Sequence, residues 1–187
     1  MTGFLDHTDD SLLRLANAGQ EEAFVELYRR RQTQIYRFAL HMSGNTALAE
    51  EVTQEVFLSL IRNSETFDAA RGSLAAYLHG IARNHMLRIL ERDRPYVAME
   101  DDTVPSNEDT PLGDLTRSET IESVRQAVLS LPANYREAVV LCDLQEVSYA
   151  DAAVLLEVPI GTVRSRLSRG RAMLVEKLRV SSTRCIV

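Results

Sequence analysis

The sequence predicts an all-α protein in which two small helical domains are joined by a flexible acidic linker. Apolar residues recur at intervals of three and four through most of the chain, the spacing of one helix face. Residues 95–116 break that pattern with three prolines and, counting the adjoining Glu119, seven acids, as a linker does. The run from Glu146 to Arg179 reads as two helices about a tight turn, a helix-turn-helix. No strand and no internal repeat is predicted. The expected division is residues 1–94, a linker at 95–116, and residues 117–187.

In chain order, Ser11 is expected to cap a short helix that runs to Ala18 and stops at Gly19. A long helix follows from Gln20 to about Met42. Ala23, Phe24, Leu27, Ile35, Phe38 and Leu40 form its apolar stripe, and Arg29, Arg30 and Arg31 a basic cluster on the far side. Ser43-Gly44-Asn45 breaks it. The third helix spans about Ala47 to Asn63, with Val52, Val56, Leu60 and Ile61 inward and Glu50, Glu51, Gln54 and Glu55 outward. A loop follows to Ser73. The fourth helix, Leu74 to about Arg92, turns Leu78, Ile81, Ala82, Met86 and Ile89 to the core and leaves Arg83, Asn84, Arg88 and Arg92 outside. Four helices with short connections make a compact bundle.

After the linker, a helix resumes from Arg117 to Leu131, and another runs from Asn134 to Leu144. Ser148 caps the next, with Ala152, Ala153, Leu155 and Leu156 on its apolar face. Val158-Pro159 ends it, because the residue before a proline is pushed out of the α region. Ile160 and Gly161 are placed in the turn, and a last helix starts near Thr162. Val163, Leu167, Gly170 and Leu174 share one face of that helix, and Arg164, Ser165, Ser168, Arg169 and Arg171 the other. Four arginines and no acid lie between Ile160 and Met173, as expected of a helix that enters the major groove of DNA.

Charge tempers that expectation. The 187 residues carry a net charge of −6, whereas a nucleic-acid domain usually has a basic surplus to displace counterions from phosphates. The deficit is local. Residues 95–119 hold seven acids against Arg117, while residues 120–187 hold nine basic side chains against seven acids. So mild a bias implies modest affinity for DNA alone and a partner that supplies further contacts. Cys142 and Cys185 have no Cys or His at ligand spacing, so neither a disulfide framework nor a metal site is implied, and Cys142 is expected in the core. No apolar run reaches the roughly 18 residues of a membrane span, and the N-terminus lacks signal-peptide order. The expected location is the cytoplasm, with no membrane insertion.

Four pieces, in this order and spacing, resemble a known family: GQEEAFVELYRRRQTQIYRFAL, AEEVTQEVFLSLIRNSETFDAARGS, YLHGIARNHMLRILER and LPANYREAVVLCDLQEVSYADAAVLLEVPIGTVRSRLSRGRAML. The chain is similar to the extracytoplasmic-function (ECF, group IV) sigma factors of bacterial RNA polymerase, within the sigma-70 family. The resemblance covers nearly the whole chain and implies sigma domain 2, an acidic linker and sigma domain 4.

By that resemblance, the helix bearing Glu51, Gln54, Glu55 and Leu58 docks on a coiled coil of core RNA polymerase, its acids and amide accepting from partner arginines. The loop with Phe67, Arg71 and Ser73, and the helix face with Arg83, Asn84 and Arg88, would read the opened minus-10 element of promoter DNA. Such a site needs a pocket for a flipped base, an amide for its edge and arginines for the strand. Asn84 both donates and accepts. Tryptophans of most relatives are replaced by Ile61 and Tyr77, and His79 and Gly80 are expected at the surface beside Asn84.

In the minus-35 reader, Arg164, Ser165 and Arg169 would reach base edges, with Ser168 adjusting one base of the preference. Thr162, at a helix start with free N–H groups, suits a phosphate, and Arg166 and Arg171 would meet backbone. The linker is either a plain tether or a segment lying in the basic channel through which RNA leaves the polymerase. The resemblance also implies an anti-sigma factor as a partner.

No cofactor, metal or small-molecule substrate is expected, and the chain is not expected to be an enzyme. A recombinase would need a nucleophile framed by arginines or a carboxylate-metal cluster. The acids of the third helix instead lie along a polar face with no histidine near. The alternative of a different class is a helix-turn-helix repressor or activator that acts without polymerase.

Overall fold

A computed structural model describes residues 4, 6–92 and 115–184, and every regular element among them is helical. Two helical domains pack together. In the first, α1 (Asp9–Asn17) is capped by Thr8, whose hydroxyl accepts the Ser11 N–H at 3.3 Å. Ser11 is therefore not the cap; one turn inside, its own hydroxyl donates to the Thr8 carbonyl. Helix α2 (Glu21–Ser43) ends at Gly44, whose φ of +70° lets its N–H close on the Leu40 carbonyl at 2.8 Å. Asn45 then caps α3 (Thr46–Asn63) by accepting from the Leu48 N–H at 3.1 Å. Two short 3-10 turns, Ser64–Thr66 and Ala69–Arg71, lead to α4 (Leu74–Arg92).

Leu12, Leu27, Phe38, Val52, Leu60 and Leu78 close this core, each fully buried. His79 is buried with them rather than at the surface. Its ring meets Phe38 edge-on at 5.3 Å, and Nδ1 bonds the Ala75 carbonyl at 2.7 Å. The expected basic cluster is also partly dismantled. The Arg30 guanidinium donates to the carbonyls of His7 and Phe4 at 2.7 and 2.6 Å, and Arg31 pairs with Asp9. These two arginines fasten the N-terminal segment to α2.

The second domain comprises α5 (Leu115–Leu129), α6 (Ala133–Val139), α7 (Tyr149–Leu155) and α8 (Ile160–Arg184). Residues 115 and 116, expected in the linker, already belong to α5; positions 95–114 lie outside the described residues. Helix α6 runs on into a π turn, Val140–Leu144. Ser148 caps α7 as expected, its hydroxyl accepting the Asp151 N–H at 3.0 Å. The next turn is tighter than the sequence implies. Glu157 takes its left-handed position at φ +54°, so Ile160 and Gly161 are the first residues of α8. Val163 and Leu167 are buried, and Gly170 lets α8 approach α6, since a Cβ there would lie 2.8 Å from Val139 Cγ2.

Buried apolar residues of the two domains form one continuous cluster. Arg136 of α6 donates to the Met42 carbonyl at 2.9 Å, an acceptor in the last turn of α2. Leu129 fills the notch at Gly44, where a Cβ would stand 2.9 Å from its Cδ1. Arg83 of α4 and Glu137 of α6 form an ion pair at 2.9 Å. Among the described residues, no helix is long and apolar enough to cross a membrane.

Candidate nucleic-acid and partner interfaces

Three faces bring together residues singled out in the sequence. The first is an open groove of about 670 Å³ between α2 and α3. Gln54 and Leu58 line it, with Phe24, Tyr28, Tyr36, Phe57 and Ile61. Glu51 and Glu55 do not; Glu51 Oε1 instead lies 4.0 Å from His85 Nε2 of α4. Ile61, expected inward, is 58% exposed, because Val52, Val56 and Leu60 already fill the inward stripe and Ile61 lies about 100° further round the helix. Tyr28 packs edge-on against Phe57 at 4.7 Å and presents its remaining surface to the groove. Sequence reasoning missed Tyr28 and misplaced Ile61. The available signal was a second apolar line beside each core stripe, Phe24 and Tyr28 on one helix and Leu58 and Ile61 on the other.

The second face is a cleft of about 360 Å³ at the loop before α4. Phe67, Arg71, Ser73 and Asn84 line it together; Arg83 and Arg88 do not. Loop shape is set locally. Asp68 Oδ1 accepts the Ala70 N–H at 2.9 Å, Gly72 takes a φ of +153°, and Ser73 Oγ accepts the Ala76 N–H at 3.2 Å. The far wall comes from the other domain: Asp151, Val154, Leu155 and Glu157 of α7 and its turn. Arg88 is exposed, whereas Arg83 is half-buried against Glu137.

The third face lies on α8, where Arg164, Ser165, Ser168 and Arg169 are exposed, while Thr162 and Arg166 are half-buried. The expected free N–H of Thr162 is spent on the Pro159 carbonyl at 2.8 Å, so any phosphate contact there falls to its side chain. Ser165 Oγ donates to the Thr162 carbonyl at 2.9 Å, which leaves its lone pairs outward. Arg171 is held bidentately by Asp143, with Nε at 2.9 Å and Nη2 at 2.5 Å. Hydrogen bonds to Asp143 and then Tyr149 raise its pKa further and tie the π turn to α8. Cys142, in that turn, is half-buried, and burial followed by the Asp143 charge pushes its thiol up to about 11. A thiol so placed is a poor nucleophile at neutral pH.

Residues 27–95 match Sigma-70 region 2, and residues 121–174 match Sigma-70, region 4. The ECF RNA polymerase sigma factor SigM of Mycobacterium tuberculosis is 36% identical over 176 residues, covering 92% of this chain and 86% of that protein. The chain belongs to the ECF sigma factors. A second relative, the ECF sigma factor SigE of Mycolicibacterium smegmatis, is 36% identical over 158 residues; the match spans 82% of this sigma factor but only 60% of SigE. Among solved structures, CnrH in complex with the cytosolic domain of CnrY superposes with a TM-score of 0.70 at 25% identity, covering 92% of this chain and 97% of CnrH. The sigma factor RpoE in complex with the anti-sigma factor NepR, from Bartonella quintana, gives 0.66 at 26% identity, over 84% and 97% of the two chains. Both helical domains of this sigma factor therefore have counterparts.

Proposed function

We propose that this sigma factor binds core RNA polymerase through the α2/α3 groove and directs it to a two-part promoter, with no catalysis of its own. Residues 1–94 act as sigma domain 2 and residues 117–187 as sigma domain 4. The exposed Arg164, Ser165, Ser168 and Arg169 face of α8 reads duplex at the minus-35 element. The cleft with Phe67, Arg71, Ser73 and Asn84 takes the opened minus-10 strand, with Arg88 along its backbone. Polymerase contacts supply the affinity that a chain of net charge −6 lacks. Work of this kind takes place in the cytoplasm.

The observation that carries this reading is the presence, in one family-matched chain, of two separate faces of different chemistry. One is an exposed arginine and serine helix face suited to a groove, the other a cleft with an amide and an arginine suited to an unstacked base. Control by an anti-sigma factor is supported by two similar structures, CnrH with CnrY and RpoE with NepR, each solved as a complex with a second protein.

The deciding experiment transcribes genomic DNA in vitro with core polymerase plus the purified chain and sequences the products. Start sites that depend on the chain and share two spaced motifs are expected. No association with core polymerase, or tight specific binding to a duplex by the isolated chain in a gel shift, would favour the repressor or activator instead.

A further inference from the structure

Ile160 stands on the helix assigned to DNA rather than in the turn before it. It is the first residue of α8, because the Pro159 carbonyl already accepts from the Thr162 and Val163 N–H groups at 2.8 and 3.2 Å. The packing role open to an apolar residue at a helix start is taken by others. A hydrophobic residue just before the cap packs on one in the first turn and fixes how the chain enters the helix. Here the two are Val158, which is half-buried against the core, and Val163, which is fully buried within it. Ile160 has no share in that contact and is 41% exposed.

Isolated aliphatic side chains on a surface are ordinary, but the position of this one gives its exposure a meaning. Ile160, Arg164 and Ser168 follow one another at intervals of four residues on one side of α8, and all three are exposed. The flank of Ile160 is open as well, since Gly161 has no side chain and a Cβ built there would meet nothing within 4 Å. In a helix-turn-helix, the N-terminal residues of the second helix are those that contact base edges. Most groups on the major-groove edges are hydrogen-bond donors and acceptors, and arginine and serine read those. The 5-methyl group of thymine is apolar and is read by apolar contact. A β-branched side chain in a helix keeps essentially one χ1 rotamer, so Ile160 makes such a contact at little cost in entropy.

We propose that Ile160 is a specificity-determining residue of the upstream reader, selecting an A·T pair by packing on its thymine methyl. The inference rests on the assignment of α8 to the minus-35 element. Ile160 and Arg164 are about 6 Å apart along the helix axis, which puts the selected pair within about two base pairs of the one that Arg164 meets.

The test uses holoenzyme assembled from core polymerase and the full chain, on a promoter that the chain directs. Each thymine of the upstream element, on either strand, is replaced singly by deoxyuridine, which lacks only the 5-methyl group. Affinity is measured by competition against labelled parent promoter. With the parent protein, one position should lose about fourfold, the worth of one buried methyl group. With Ile160→Ala the thymine promoter should already be weaker by that factor, and deoxyuridine at that position should cost nothing more. Ile160→Val, which keeps a branched apolar side chain, should retain the response to deoxyuridine. Ile160→Ala should unfold at the urea midpoint of the parent, because the atoms it removes lie outside the core.

An upstream element without an A·T pair, a parent protein indifferent to every deoxyuridine, or a response that survives in Ile160→Ala overturns the proposal. Arg169→Ala, measured in parallel, separates the two layers. If it loses its own base preference, α8 reads the element, and a failure at Ile160 is a failure of this inference alone. If it keeps the parent preference, the assignment of α8 has failed and the role of Ile160 falls with it.

Discussion

Tyr77 donates its phenolic proton to Thr66. The two oxygens lie 2.7 Å apart, and Thr66 Oγ1 has its own proton committed to the Asn63 carbonyl at 2.7 Å, so Tyr77 must be the donor. The Tyr77 ring also packs on Phe67 at 5.5 Å. One side chain of α4 therefore fixes how the chain leaves α3 and where the cleft loop begins.

Tyr77→Phe keeps the ring and removes that bond. It should cost about 0.5–1.5 kcal/mol of stability and, because the loop loses its anchor, flatten the base preference at the downstream promoter element. Run-off transcription from a panel of single-base promoter variants measures this, with core binding as the control. Uniform loss across the panel would mean that Tyr77 serves stability alone.

Ile61 and Leu58 supply the α3 side of the groove assigned to polymerase. Ile61 is 58% exposed, so Ile61→Asp should leave the unfolding free energy within about 0.5 kcal/mol of the parent. A charge in an apolar docking surface should nonetheless weaken core association by more than about 2 kcal/mol, as loss of a hot-spot side chain does. Titration of labelled core polymerase reads the effect. Equal affinity for the variant would move the docking surface elsewhere.

Much of this was written locally in the chain. Ser148, the apolar spacing of Val163 and Leu167, and the breaks at Gly19 and Gly44 act through neighbours a few residues away, so a linear pattern suffices to place them. The turn before α8 was misjudged because glycine is the usual left-handed residue, yet Glu157 holds φ +54° and Gly161 is helical. Phe67, Arg71, Ser73 and Asn84 do converge on one cleft. What could not be read was anything set by a distant partner. Arg83 meets Glu137 across 54 positions of sequence, and His79 is buried because Phe38 stands opposite it. Helical periodicity carries no trace of either contact.

His79 makes stability depend on pH. Burial lowers its pKa, only partly offset by the bond to the Ala75 carbonyl, and the Arg31 charge lowers it further. His41 is lowered as well, first by burial. The folded state therefore holds both rings neutral at a pH where the unfolded chain, with histidine pKa near 6.5, takes up protons. Stability is fully present above about pH 6.5 and is lost as pH falls from there through the folded values. Urea midpoints should drop between about pH 7 and pH 5.5, and His79→Leu should shrink the drop, leaving the His41 share. The same pH slope in the variant would show that His79 does not titrate with unfolding.

Arg169 and Arg171 are both exposed on α8, but their surroundings separate their roles. Arg169 shares its outward face with Ser165, one turn earlier, whereas Arg171 has its fork occupied by Asp143. A bidentate arginine contact to guanine is worth about 1–3 kcal/mol of discrimination against the wrong base. Arg169→Ala should therefore erase preference for one upstream base pair, roughly 10- to 100-fold, while core binding stays intact. Arg171→Ala frees Asp143 and loosens the join between the π turn and α8, so it should weaken binding to all upstream sequences alike and leave the base preference in place. Holoenzyme transcription from promoters randomised at the upstream element reads both. The assignment fails if Arg169→Ala keeps the parent preference, or if Arg171→Ala changes which base is chosen.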